Sequence, residues 1–145
     1  MKRFETHGED ETIELGRRIA ATLPKRAVVL LIGNLGAGKT TLAKGIISGL
    51  GAAEPEDVTS PTFTLIHEYG EGRAYHIDLS RLDRPEQVAT LGLDEIFDRE
   101  AVVLIEWGER FPRLLPAERI EIRIEAANED SRRIEITGPH YPESV

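Results

Sequence analysis

The pattern of apolar and polar positions divides the chain into alternating strands and helices. The run Ala27-Val28-Val29-Leu30-Leu31-Ile32 has no polar member and reads as a strand buried on both faces. Ala101-Val102-Val103-Leu104-Ile105 is a second such strand and ends in Glu106-Trp107. Between Glu9 and Leu23, Ile13, Ile19, Ala20 and Leu23 lie near one face of a helix, with acids in its first turn and Pro24 as its stop. From Thr41 to Leu50 the apolar positions Leu42, Ile46, Ile47 and Leu50 again have helical spacing, and Gly51 terminates the helix. Ile120, Ile122 and Ile124 alternate with Glu121, Arg123 and Glu125, the signature of a strand with one wet face.

Shorter signals fill the gaps. Arg3-Phe4-Glu5 reads as a short edge strand, and Ala52 to Asp57 as a polar loop. The second half of the segment from Val58 to Glu68 is strand-like, and Gly70-Glu71-Gly72 turns it into a returning strand from Arg73 to Ile77, closed by Asp78. Pro85 sits in the first turn of a helix running to about Leu91, and a short helical or irregular piece spans Gly92 to Asp98. Phe111 to Pro116 is a connector. Asn128-Glu129-Asp130 turns into a last strand, Arg132 to Thr137, with Ile134 and Ile136 inward. The expected fold is a single α/β domain over residues 1–137: a central mixed sheet, two parallel strands at its core with antiparallel neighbours, flanked by helices. Residues 138–145 are expected to form a mobile tail.

Composition adjusts this picture only slightly. The 145 residues are 40% hydrophobic and 30% charged, as in an ordinary globular protein with a real core. No apolar run is long enough to span a membrane and the N-terminus lacks the shape of a signal peptide, so a cytoplasmic location is expected. The absence of cysteine excludes disulfides, thiolate metal sites and thiol catalysis. A net charge of -8 lacks the basic footprint of a protein that grips nucleic acid by itself, so any such role is expected to run through a partner.

The chemistry is concentrated in Gly33-Asn34-Leu35-Gly36-Ala37-Gly38-Lys39-Thr40, which fits the phosphate-loop pattern of Gly, four residues, Gly-Lys-Ser/Thr. A buried strand precedes it and a helix follows it, the order that the pattern requires. Gly36 and Gly38 permit close backbone approach to phosphates, and the loop N–H groups converge on an anion at the positive end of the helix. Lys39 would reach the β- and γ-phosphates and the Thr40 hydroxyl would ligate Mg2+. A plain glycine turn is the competing reading.

Mg2+ asks for hard oxygen ligands, and two acids qualify. Glu106 follows five apolar residues, and Asp78 closes Tyr75-His76-Ile77. Glu106 is expected on or beside the metal; Asp78 is a second ligand or the group that positions water. A helix cap or a turn is the alternative role for each. Ser60-Pro61-Thr62-Phe63 carries hydroxyls suited to sensing a γ-phosphate, or is a proline turn into a strand. Trp107 is a core anchor or a partner contact, and His76 reads as a packed or hydrogen-bonded strand residue rather than a base. Lys follows neither Asn34 nor Asn128, so the guanine-reading motif Asn-Lys-x-Asp is absent and ATP is the expected nucleotide. Thr41 is a candidate for the base pocket.

These motifs, together with His76-Ile77-Asp78-Leu79-Ser80-Arg81-Leu82 and Ile105-Glu106-Trp107, resemble the bacterial TsaE (YjeE) family from about Thr12 to about Arg133. One departure is Ser80, where the family usually carries Tyr. The resemblance implies a small ATPase that works in threonylcarbamoylation of the tRNA adenosine next to the anticodon. The family member does not perform the transfer; it associates with the TsaB–TsaD complex, and its ATP hydrolysis supports turnover there. By resemblance, Gly33 and Gly36 to Thr41, Ala37 included, bind nucleotide, and Thr40 and Glu106 hold Mg2+. Asp78 is functionally important, Ser60, Pro61, Thr62 and Phe63 are switch-like, and Trp107 flanks the site. Glu9 is the position-matched adenine contact, with Glu109 and Arg132 near the nucleotide. Lys39, Asp78 and Glu106 are the expected catalytic residues. A small-molecule kinase and a non-catalytic ATP-dependent switch are the alternative functions.

Overall fold

In the computed structural model, residues 2–34 and 36–138 are described; Leu35 of the loop and the expected tail beyond Gly138 lie outside them. The elements in chain order are β1 (Lys2–His7), α1 (Glu9–Ala20), β2 (Ala27–Ile32), α2 (Lys39–Gly49), β3 (Ile66–Tyr69), β4 (Ala74–Asp78), α3 (Pro85–Ala89), α4 (Leu93–Phe97), β5 (Val102–Glu106), β6 (Ile120–Ala126) and β7 (Ser131–Thr137). They build one seven-stranded sheet in the order β1-β7-β6-β2-β5-β4-β3.

The central strands β4, β5, β2 and β6 run parallel, and β3, β7 and β1 add antiparallel edges. The α/β class and mixed sheet agree with the expectation, but four strands are parallel rather than two. The extra ones are β4 and β6, each of which also belongs to a hairpin. The alternation of β6 hides this role. Its isoleucines join the core under α1 and α2, while the core on the opposite face contains no β6 residue among those described. A parallel strand covered on one face keeps a wet pattern.

Alternation in the buried strands feeds two cores. Val29, Leu31, Val102 and Leu104 pack with Leu15, Ile19, Leu42 and Ile46 from α1 and α2. Val28, Leu30, Val103 and Ile105 pack on the other face with Val88, Leu93, Ile96 and Phe97 from α3 and α4. Helix α1 stops at Ala20, three residues before the expected end. The Thr22 hydroxyl donates to the Ile19 carbonyl at 2.7 Å, and the Thr22 and Leu23 N–H groups turn back to Ile19 and Ala20. This local bonding competes with helix continuation.

Helices α1 and α2 meet backbone to backbone. A Cβ on Gly45 would lie 2.1 Å from the Ile13 carbonyl oxygen, and one on Gly16 would lie 2.7 Å from that of Leu42. This close approach locks α1 against α2. Gly45→Ala is therefore expected to destabilise the fold by about 2 kcal/mol, the overpacking cost exceeding the gain in helix propensity. Urea denaturation checks it; an unchanged or raised midpoint would contradict the close contact.

Candidate functional site

The loop after β2 takes its shape from its glycines. Gly36 (φ +81°) and Gly38 (φ +109°) occupy backbone conformations that side chains disfavour. Gly33 is required for another reason: a Cβ there would sit 2.4 Å from the carbonyl oxygen of Ile124 on β6. The loop thus leads directly into α2, whose first residues are Lys39 and Thr40.

Lys39 is only 4% exposed. Its Nζ donates to the Gly33 carbonyl at 2.7 Å and lies 3.8 Å from the centre of the Trp107 ring. Burial pushes the ammonium below the ordinary lysine range, while Glu106, then Glu109 and Asp78, pull it back up. Trp107 itself holds φ +65°, a left-handed conformation costly for a bulky residue. That conformation immediately follows β5 and places the indole over the lysine.

The two acids meet through strand register. Asp78 ends β4 directly opposite Glu106 at the end of β5. Counting back by twos, Ala74 and Leu104 belong to the core under α1 and α2, so both carboxylates fall on the α2 face of the sheet. There the Thr40 hydroxyl donates to Glu106 Oε2 at 3.3 Å. His76, fully buried two residues before Asp78, contacts the same oxygen through Nε2 at 2.5 Å. Asp78 is held differently: the Ser80 N–H donates to Oδ1 at 2.7 Å and the Thr62 hydroxyl to Oδ2 at 3.1 Å. Ser60 Oγ and Thr62 Oγ1 are 2.8 Å apart, so the segment from Ser60 to Phe63 is tethered to Asp78 by its hydroxyls. Leu65 closes this segment at φ +70°, its N–H donating to Pro61 and its carbonyl accepting from Asp78.

These residues surround one cavity of about 620 Å³ at the carboxyl ends of β2, β4 and β5. Gly36, Gly38, Lys39, Thr40, Thr41, Ser60, Thr62, Asp78, Glu106, Trp107 and Arg132 all line it, joined by Ser80. Glu9 lies apart, in an adjoining 190 Å³ recess shared with Gly38, Thr41 and Arg132. Gly33 and Ala37 line a different hollow behind the loop, against β6. Pro61 and Phe63 line none of these three; Phe63 is 82% exposed, beneath the Arg81 guanidinium at 5.2 Å from its ring. Glu109 Oε1 is buried without a hydrogen-bond partner among the described residues, and its carboxylate acts on Lys39 by charge.

The donor set of Thr40, Glu106 and Asp78 is all hard oxygen, the chemistry that suits Mg2+. Among the described residues no three His, Asp or Glu side chains converge as a metal cage. The sequence does not by itself pair His76 with Glu106. The available signal was its placement: two residues before the strand-end acid, on the same face, in a strand that must align with β5.

A family described as "Threonylcarbamoyl adenosine biosynthesis protein TsaE" matches residues 6–134. A Nostoc protein bearing the name tRNA threonylcarbamoyladenosine biosynthesis protein TsaE is 44% identical over 135 residues, which cover 89% of this chain and 81% of that one. A Bacillus subtilis protein of the same name is 40% identical over 138 residues, covering 94% and 85%. The crystal structure of Bacillus subtilis YdiB superposes with a TM-score of 0.76 at 37% identity, covering 94% of this chain and 84% of that one. No helix among the described residues is long and apolar enough to cross a membrane. With a family match over most of its length and relatives at this level of identity, the chain belongs to the TsaE family.

Proposed function

We propose that this protein is a Mg2+-dependent ATPase that supports threonylcarbamoylation of the tRNA adenosine next to the anticodon, acting with the TsaB–TsaD complex. The observation that carries the reading is the convergence of Lys39, Thr40, Asp78 and Glu106 on one cavity at the strand ends. Hydrolysis would proceed by in-line attack of water on the γ-phosphorus. The loop N–H groups would hold the phosphates, and Lys39 would neutralise charge on them. An ammonium has three donors, and the Gly33 carbonyl takes one, which leaves two for phosphate oxygens. Mg2+, held by Thr40 and Glu106, would supply charge neutralisation at the phosphate oxygens. Asp78 and Glu106 are the groups able to orient water, and Asp78 is coupled to the Ser60–Phe63 segment through Thr62. Thr41, Arg132 and Glu9 border the recess proposed for the base.

The kinase alternative needs a lid over the phosphates. The segment from Pro85 to Arg99 would be its source, yet α3 and α4 bury Val88, Leu93, Ile96 and Phe97 in the opposite face of the sheet. Free phosphate rather than a phosphorylated metabolite is the expected product.

Neither Arg81 nor Arg110 lines the cavity: Arg81 stacks on Phe63, and Arg110 is bonded to the Ser80 carbonyl and Asp83, while Arg132, which does line it, gives Nη1 to the carbonyls of Asn128, Glu129 and Ser131. Charge supplied in trans is worth about 10³–10⁵ in related phosphate-loop enzymes. Hydrolysis by the isolated protein should be slow and should rise at least about 10-fold with TsaB–TsaD, as phosphate release would measure. Equal rates with and without the complex would remove partner activation from the account.

A further inference from the structure

We propose that His76 is a positioning residue for Glu106, anchoring one carboxylate oxygen so that the other is presented to the cavity. This rests on the reading of Glu106 as the magnesium-holding acid. His76 sits in β4 with no exposed surface, and its Nε2 lies 2.5 Å from Glu106 Oε2. A carboxylate only accepts, so Nε2 must be the protonated nitrogen. Nδ1 has no hydrogen-bond partner among the described residues. The ring therefore has one polar commitment, and it is to Glu106. Packing alone would be served by an aliphatic residue in this position, without the desolvation cost of an imidazole.

The commitment is directional. The Thr40 hydroxyl donates to the same oxygen, Oε2, so the hydrogen bonds given to Glu106 by described residues fall on one side of the carboxylate. Two donors from two elements, β4 and α2, fix the torsion of the carboxylate plane. Oε1 is left to the cavity that Glu106 lines. Groups that hold a metal ligand in this way set the ligand's orientation and its affinity for the ion, and their loss typically lowers that affinity about 10–100-fold. The register Asp78↔Glu106 makes the arrangement possible, since it sets His76 beside Leu104, two residues before Glu106 on the same face.

The test is the factor by which Mg2+ tightens binding of a fluorescent, non-hydrolysable ATP analogue, measured against EDTA for each variant. His76→Phe should lower that factor about 10-fold or more, with metal-free affinity within about twofold of the unaltered protein. His76→Gln, whose amide reaches the place of Nε2, should retain the factor within about threefold, whereas His76→Asn, whose amide reaches only the place of Nδ1, should lose it. A purely structural role would weaken metal-free and metal-bound binding alike, and that result would overturn the proposal. If His76→Phe fails to fold, the Gln and Asn pair decides: equal factors in the two would overturn the proposal. Glu106→Gln separates the two layers. A lowered factor there with an unchanged one in His76→Phe overturns the role of His76 alone. An unchanged factor in Glu106→Gln overturns the magnesium reading of Glu106 and this inference with it.

Discussion

Replacing Lys39 with alanine should reduce ATP hydrolysis at least about 10³-fold and weaken ATP binding, while the sheet stays folded. The magnitude follows from removing a buried, preorganised cation aimed at developing phosphate charge. The side chain already lies where it is needed, tied to the Gly33 carbonyl and covered by Trp107. Its position has an energetic consequence that sharpens the prediction. Burial disfavours the charged form, and of the three acids that oppose this effect, Glu106 and Asp78 line the cavity. Two of the groups that draw the lysine's charge back are thus the acids proposed to hold metal or water. Its removal should cost little stability in the nucleotide-free protein, because it relieves a buried charge. Equilibrium dialysis with labelled ATP and a urea melt separate the two effects. Near-normal turnover in a folded Lys39→Ala protein would contradict the assignment of the loop.

Glu106→Gln should leave ATP affinity measured without metal within a few-fold and lower Mg2+-supported turnover about 100-fold or more. The amide oxygen preserves an acceptor for His76 and Thr40, so the local packing need not collapse. What disappears is the negative charge that offsets the divalent ion, and with it one hard anionic ligand. A steady-state series over Mg2+ concentration should show a fall in the maximal rate and a requirement for more metal. If the maximal rate and the metal requirement both match the unaltered protein, Glu106 is not at the metal and Asp78 becomes the only strand-end acid left for that role.

The parts of the structure visible in the sequence are those encoded locally. The six apolar residues of β2, the glycine spacing after it and the helical spacing in α2 each carry their own signal, so strand, loop and helix appear where expected. The acids Asp78 and Glu106 are visible because each closes an apolar strand. What escapes is everything that depends on register or burial between distant segments. The parallel pairing of β6 with β2 is invisible, since alternation reports one wet face without saying which neighbour lies alongside. The His76–Glu106 contact depends on β4 and β5 aligning Asp78 with Glu106, and the placement of His76 two residues before Asp78 points to its partner only once that register is known. The left-handed conformations of Leu65 and Trp107 escape for the same reason, because nothing in a bulky side chain announces a positive φ. Trp107 lines the cavity and the Leu65 carbonyl accepts from the N–H of Asp78, which also lines it, consistent with backbone strain held at a working site. Glu9, expected at the adenine, borders the recess that adjoins the main cavity, together with Thr41 and Arg132.

The most direct test of the account is tRNA threonylcarbamoylation followed over several turnovers with purified TsaB–TsaD and the enzyme that makes the threonylcarbamoyl donor. Three reactions suffice: no addition, this protein, and its Lys39→Ala variant. The account predicts that modification continues past the first turnover only with the unaltered protein. If the unaltered protein binds ATP but leaves modification at the level of no addition, or if Lys39→Ala sustains turnover equally well, the proposed coupling of ATP hydrolysis to tRNA modification is contradicted.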